Sequence, residues 1–325
     1  MDEQHLLDRY LIQGIDFQKN GRFSEAEQAY LSALELQSQH PVANNNLGFL
    51  YAEQQHWQQA VNYFEIAINS DPNNFMAHTN LGQVLILTAQ VEKGLAHLYK
   101  AIEINSKSLQ SYDTLASMLQ WLGQLPQAQG YWQITQTLSD NDVHYALKTA
   151  LCIALQGNHS EAILRFKEII KTHPQTQQAW TYLGISYLVS QDTQNAEHAL
   201  LQALQLDSTD TNALKHLALL KLATNQLASA IDYYQQLLSI TPDNHDSRLD
   251  MAITLLATGE SSLALSHIER LIEANQTQPK VRYYRALCLR QLDQFDKAEG
   301  ILTSLAVEES EFAIKAAGLI AQGHP

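Results

Sequence analysis

Thirteen histidines, two cysteines and thirty-four acidic side chains are the residues from which metal or acid–base chemistry would be built in this chain of 325 residues. A single helix offers a metal two imidazoles when they lie four residues apart, on one face. No two histidines have that spacing, and His40, His56, His173 and His245 fall at turns or on solvated faces. Glu308 and Glu309 are adjacent and read as surface charge. There is no glycine-rich phosphate loop, no GxSxG elbow and no CxxC pair. The expectation is no catalytic site, no cofactor and no metal, hence not an enzyme. What remains is recognition chemistry: side-chain amides, aliphatic surface and a few cations.

The elements that would position those groups follow one interval. From Gly14, steps of thirty-four land on Gly48, Gly82, Ala116, Ala150, Gly184, Ala218, Ala252 and Ala286. From Ala26 the same step gives Ala60, Gly94, Ala128, Ala162, Ala196, Ala230, Ala264 and Ala298. Two helices pack closely only where one offers a side chain no larger than a methyl at the crossing. The pattern predicts helix hairpins with turns near residues 20–22, 54–56 and 88–90, and onward at that step. Units of this length cannot bury their apolar faces alone, so they stack on their neighbours.

The chain resembles a tetratricopeptide repeat (TPR) array. Its second repeat carries the family pattern as Leu47, Gly48, Tyr51, Ala60, Phe64, Ala67 and Pro72. The sixth carries it as Trp180, Leu183, Gly184, Tyr187, Ala196 and Ala203, and the fifth supplies Ala162, Phe166 and Pro174. Departures are Gly94, which replaces the first Ala of the second helix in repeat three, and Lys221, where repeat seven should carry an aromatic. Repeat four drifts, with Trp121, Trp132 and the turn at 138–142. The resemblance implies an all-α, right-handed superhelical solenoid of TPR helix hairpins with a C-terminal capping helix. Nine tandem repeats would occupy 1–306 as one continuous solenoid. Residues 307–325 would form the capping helix and tail, with Val307–Gln322 as the helix. Cys152 and Cys288 share one slot of repeats five and nine and read as buried small hydrophobes.

In this family the first helices line a concave groove, and the same places of this chain form the expected partner site. Asn46 and Asn80 resemble two rungs of the asparagine ladder in the TPR arm of the O-linked N-acetylglucosamine transferase. Downstream the ladder stops. The other lining places hold Leu151 and Leu155, then Ile185, Leu188 and Val189, then Leu219 and Leu222, then Ile253 and Leu256. Lys280, Tyr283 and Arg290 flank the far end. An apolar stripe of that kind predicts a partner, because soluble proteins rarely leave one bare. The family's clamp for acidic chaperone tails needs Lys and Asn where this chain has Leu11 and Ile15, so that ligand is not expected.

The formal charge of −14 argues against nucleic acid. MDEQHLLDRYLIQG lacks the basic and apolar regions of a signal peptide. No apolar stretch approaches the roughly 20 residues that span a bilayer. A cytoplasmic location is therefore expected, and a composition rich in Gln and Asn points to a bacterial source. The function implied is a scaffold or chaperone-like adaptor that binds a peptide or amphipathic helix in the groove. One alternative is a non-catalytic regulatory or targeting subunit of a separately encoded enzyme such as a glycosyltransferase. Another is a self-assembling scaffold, with end repeats docking between copies.

Overall fold

The computed structural model describes residues 3–322. Among them are nineteen helices and no strand. They divide into two compact units, one ending at Asn158 and one beginning at His159. In the first unit lie α1 (Glu3–Lys19), α2 (Phe23–Leu36), α3 (Pro41–Glu53), α4 (Trp57–Ser70), α5 (Phe75–Leu87), α6 (Val91–Ile104), α7 (Leu109–Trp121), α8 (Leu125–Leu138) and α9 (Val143–Leu155). In the second lie α10 (His159–Thr172), α11 (Gln177–Val189), α12 (Thr193–Leu206), α13 (Thr211–Ala223), α14 (Leu227–Ile240), α15 (His245–Ala257), α16 (Ser261–Glu273), α17 (Pro279–Gln291), α18 (Phe295–Ala306) and α19 (Glu311–Ala321).

The turns inside the hairpins obey the same interval as the small residues. One residue in each has positive φ: Gly21, Gln55, Ala89, Gly123, Gly157, Gln191, Asn225, Gly259 and Asp293. Beside it the next amide bonds back five residues, as from His56 to Tyr51 O at 2.9 Å and from Gln90 to Leu85 O at 2.8 Å. That closure satisfies carbonyls the helix end leaves open. Five of the nine are not glycine, although a left-handed conformation normally disfavours a Cβ. Capping opens the following repeat. Asn74, Ser108, Asp210 and Asn244 each accept an amide of the next first helix, at one repeating slot.

The crossings show why the small residues are required. A Cβ on Gly48 would lie 2.8 Å from the Phe64 ring and 3.2 Å from Ala60 O. On Gly184 it would meet Leu200 Cγ at 2.6 Å and Ala196 O at 3.2 Å. Ala60 and Ala196 are fully buried. The large residue opposite each crossing changes identity along the chain, as Tyr30, Phe64, Leu98 and Trp132, but is buried in every case.

The departures from the family pattern have local explanations. Lys221 occupies the slot of Tyr51. Tyr51 donates to Glu27 at 2.5 Å; Lys221 pairs with Glu197 at 2.6 Å, and Glu197 occupies the slot of Glu27. Both therefore tie a first helix to the second helix before it. In repeat four the buried Trp132 indole donates to Asp113 Oδ1 at 3.0 Å, and Lys148 reaches the same oxygen at 2.5 Å. The two thiols are buried and free, as expected from their slot. Burial pushes Cys288 up to about 12, so it is not a nucleophile near neutrality.

The last helix differs from its expected span. Val307 follows the end of α18 as its cap and is solvated, and α19 begins only at Glu311, capped by Ser310. The break is set by Arg282, which grips Glu308 through two bonds of 2.7 Å. Ala316 and Leu319 then cover Leu289, Leu302 and Leu305, the apolar end of the last hairpin. The tail residues 323–325 and the first two residues lie outside the described residues.

One histidine pair is not on a solvated face. His78 is buried, bonds the Pro72 carbonyl at 3.3 Å, and meets His97 Nδ1 to Nδ1 at 2.9 Å. Asn44 serves the same slot one repeat earlier, donating to Ser38 O at 3.0 Å. Burial holds both imidazoles below their ordinary value, helped by the Lys100 charge at His78 and by the His78 ring at His97. Their neutral forms therefore stabilise the fold above about pH 6.5, where the unfolded imidazole titrates. That contribution is lost as pH falls from there toward the lower folded values. The denaturation midpoint is expected to drop between pH 7 and pH 5, and His78→Asn with His97→Gln should shrink the drop. An identical drop in that variant would assign it elsewhere, for example to His40, His216 or His267, which are also held low by burial.

Candidate interaction surface

Successive first helices of the first unit pack on one another, α1 on α3, α3 on α5 and α5 on α7. They therefore present one side-by-side face. In the second unit α11 touches α13, and α15 touches α17. This is the face on which the expected partner residues lie, and the structure sorts them into three groups.

The first group is open. Leu155 is 52% exposed, Val189 57% and Leu219 37%. The second is half-buried: Leu151, Ile185, Leu188, Leu222 and Ile253. Of these, Leu188 packs on the cluster of Leu200 and Leu217, and Leu222 on that of Tyr234 and Met251. The third is not available as expected. Leu256 is buried in the latter cluster. Asn80 is buried and spends its amide on Asn45 Oδ1 at 3.0 Å, while Asn45 donates to Asn46. The two asparagines thus belong to an internal amide chain, with only Asn46 half-exposed. Tyr283 packs on Phe312 and Arg290 donates to Leu319 O at 3.0 Å, so both hold the capping helix. Lys280 is exposed.

Three residues of this face were missed from sequence. Phe49, Leu87 and Trp121 are 41%, 41% and 61% exposed. Leu87, Trp121 and Leu155 fill one slot, the last residue of the first helix, in three consecutive repeats. On the second helices Ile134 and Leu164 share no slot with an exposed apolar neighbour, and the repeated slot of Leu206 and Ile240 runs through two consecutive repeats, at 36% and 38% exposure. Scattered apolar residues need no explanation; a consecutive series does. The slot alone could have found them. Between α3 and α5 the face opens into a cleft of about 230 Å³, lined by Phe49, Ala52, Glu53, Trp57, Phe64, Asn80, Gln83, Val84 and Leu87.

Models of the tetratricopeptide repeat match residues 41–74, 156–245 in two overlapping segments, and 221–287. With the thirty-four-residue hairpins, that decides the family. The chain belongs to the tetratricopeptide repeat family. Among TPR structures it is similar to a repeat protein from Parabacteroides merdae, with a TM-score of 0.59 and 15% identity, over 77% of this chain and 99% of that one. It is also similar to a chain of the APC/C hetero-tetramer Cut9–Hcn1, with a TM-score of 0.55 and 18% identity, over 76% of this chain and 48% of that one. In sequence it is 20% identical to the BBSome complex member BBS4 of Bos taurus, over 83% of this chain and 52% of the relative. It is 21% identical to the protein O-mannosyl-transferase TMTC3 of Homo sapiens, over 81% of this chain and 27% of the relative. The chain thus spans about half the length of one of these relatives and about a quarter of the other.

TPR proteins are protein-interaction scaffolds, and this chain shares their architecture. Among the described residues, no group of three or more His, Cys, Asp or Glu side chains is placed to hold a metal. No described helix is long and apolar enough to cross a membrane.

Proposed function

We propose that this TPR chain is a non-catalytic interaction module. Its first-helix faces hold an apolar or amphipathic segment of a partner protein. The observation that carries this reading is the exposed apolar series Leu87, Trp121 and Leu155, with Phe49 beside it. Each first helix of that series is almost free of charge: α5 has no Asp, Glu, Lys or Arg, α7 has only Asp113 and α9 only Lys148. The acids sit chiefly on the second helices and turns, which suits a soluble outer surface around an apolar inner one. BBS4 is named as a member of a complex, and Cut9–Hcn1 is a hetero-tetramer; both favour a role as a fixed component of an assembly.

Site-specific photocrosslinking tests the reading. A photoreactive phenylalanine at Trp121 or Leu155 is expected to capture a discrete partner band from cells of the source organism. The same probe at Ile134, on a second helix, should not. Bands from Ile134 alone would move the interaction to the opposite face.

A further inference from the structure

The cleft between α3 and α5 has a composition that an apolar groove does not need. Three aromatic rings, Phe49, Trp57 and Phe64, line it together with a single charged group, the Glu53 carboxylate. Gly48 makes the place possible, because any Cβ there would displace the Phe64 ring. Glu53 is exposed at the end of α3, and its carboxylate accepts from the neutral Gln18 amide at 2.5 Å. No Lys or Arg lines the cleft to neutralise it. One N–H of the Asn80 amide is committed to Asn45, and its carbonyl oxygen remains as an acceptor beside the second N–H. Aromatic faces and carboxylates attract the same ligand, a cation carried on an apolar stem. At about 230 Å³ the cleft is below the usual range of about 300–1,000 Å³ for small-molecule sites and suits one side chain.

We propose that this cleft is a receptor for a lysine or arginine side chain of the partner segment, whose stem lies between Phe49 and Leu87 and whose charged head meets Glu53 and the Trp57 ring. This rests on the interaction reading above and gives the partner a stated chemistry: an apolar segment bearing a basic residue, which the net charge of −14 also favours. The carboxylate fixes register along first helices that otherwise carry few charges, none on α5 and one each on α7 and α9.

Fluorine NMR of the full chain labelled with 5-fluorotryptophan tests it, with the Trp57 resonance assigned through Trp57→Phe. Titration with n-butylammonium should shift the Trp57 signal saturably, in the millimolar range. The neutral n-pentanol, of similar length, should bind at least ten-fold more weakly. Glu53→Gln keeps the acceptor for Gln18 and removes the charge. It should weaken n-butylammonium at least five-fold and leave n-pentanol unchanged. A fifteen-residue Leu/Lys amphipathic peptide should bind at least ten-fold tighter than n-butylammonium and also shift Trp121. Equal affinities for ammonium and alcohol, untouched by Glu53→Gln, would overturn the cation site while leaving the apolar face standing. Parity between the peptide and n-butylammonium would overturn the assignment to a partner side chain in favour of a free amine. If neither small probe shifts Trp57 while the photocrosslinks still form, the cleft is not a side-chain site but the face is.

Discussion

Gly94→Ala is expected to destabilise the protein by about 1–3 kcal/mol, the usual cost of forcing atoms into a filled crossing. Helix propensity alone predicts the opposite sign, since Ala is about 1 kcal/mol better than Gly inside a helix. Ala is also what this slot carries at Ala60, Ala162, Ala196, Ala230 and Ala264. The reason for the reversal is local. A Cβ on Gly94 would lie 2.6 Å from Gly82 O, 3.0 Å from Ile86 N and 2.5 Å from Ile86 Cγ1. Two of those three are backbone atoms, which cannot swing aside as a side chain can. Repeat three places glycine on both sides of its crossing, Gly82 and Gly94, where repeats two and six pair a glycine with an alanine. The α5–α6 joint has closed to use that space. Gly130 supplies the control, because it lies inside α8 with nothing within 4 Å of its missing Cβ. Gly130→Ala should stabilise by up to about 1 kcal/mol. Urea denaturation of both variants measures the contrast. Equal shifts of the two midpoints would show that the crossing relaxes freely.

The same comparison shows how much of the molecule its sequence discloses. The positions of Gly48, Ala60 and their equivalents located the hairpin turns, because a close crossing admits only small side chains and recurs at the length of one repeat. Even the left-handed residue of each turn keeps the interval, although Gln55 and Ala89 carry no glycine signal. The site was less legible. A first helix packs on its own second helix and on the one before, so most of its circumference is apolar whether or not it is covered. Leu219 and Leu256 look alike in sequence, yet one is exposed and the other buried against α16 and its neighbours. Asn80 looked like a recognition group because its slot is one in the related ladder. Its amide is satisfied by Asn45, a contact across thirty-five residues that pairing of α3 with α5 creates. In sequence Trp121 reads only as part of the drift of repeat four from the family pattern. The irregular residues of that repeat are instead organised around Asp113, shared by Trp132 and Lys148.

Leu188→Asp combined with Leu222→Asp is expected to remove much of the second unit's stability. Both residues sit on the expected binding stripe, and from sequence alone a charge there would only block a ligand. In the structure each is half-buried against a core cluster: Leu188 on Leu200 and Leu217, Leu222 on Tyr234 and Met251. Replacing them forfeits part of about 1.5–3 kcal/mol of apolar burial at each site. It also places a carboxylate beside buried aliphatics, which costs further unless water reaches it. The sum, about 4 kcal/mol or more, is a large share of the about 5–15 kcal/mol that holds a typical domain folded. The urea midpoint followed by circular dichroism should fall steeply, and with an altered slope if the two units separate in stability. Trp121→Asp with Leu155→Asp carries the same two charges to positions 61% and 52% exposed. That pair should leave the midpoint within about 0.5 kcal/mol of the parent for each site, as for ordinary surface changes, while photocrosslinking from Leu87 is lost. A double Leu188/Leu222 variant with an unshifted midpoint would mean that both side chains are free to turn outward, and would restore them to the ligand-facing surface.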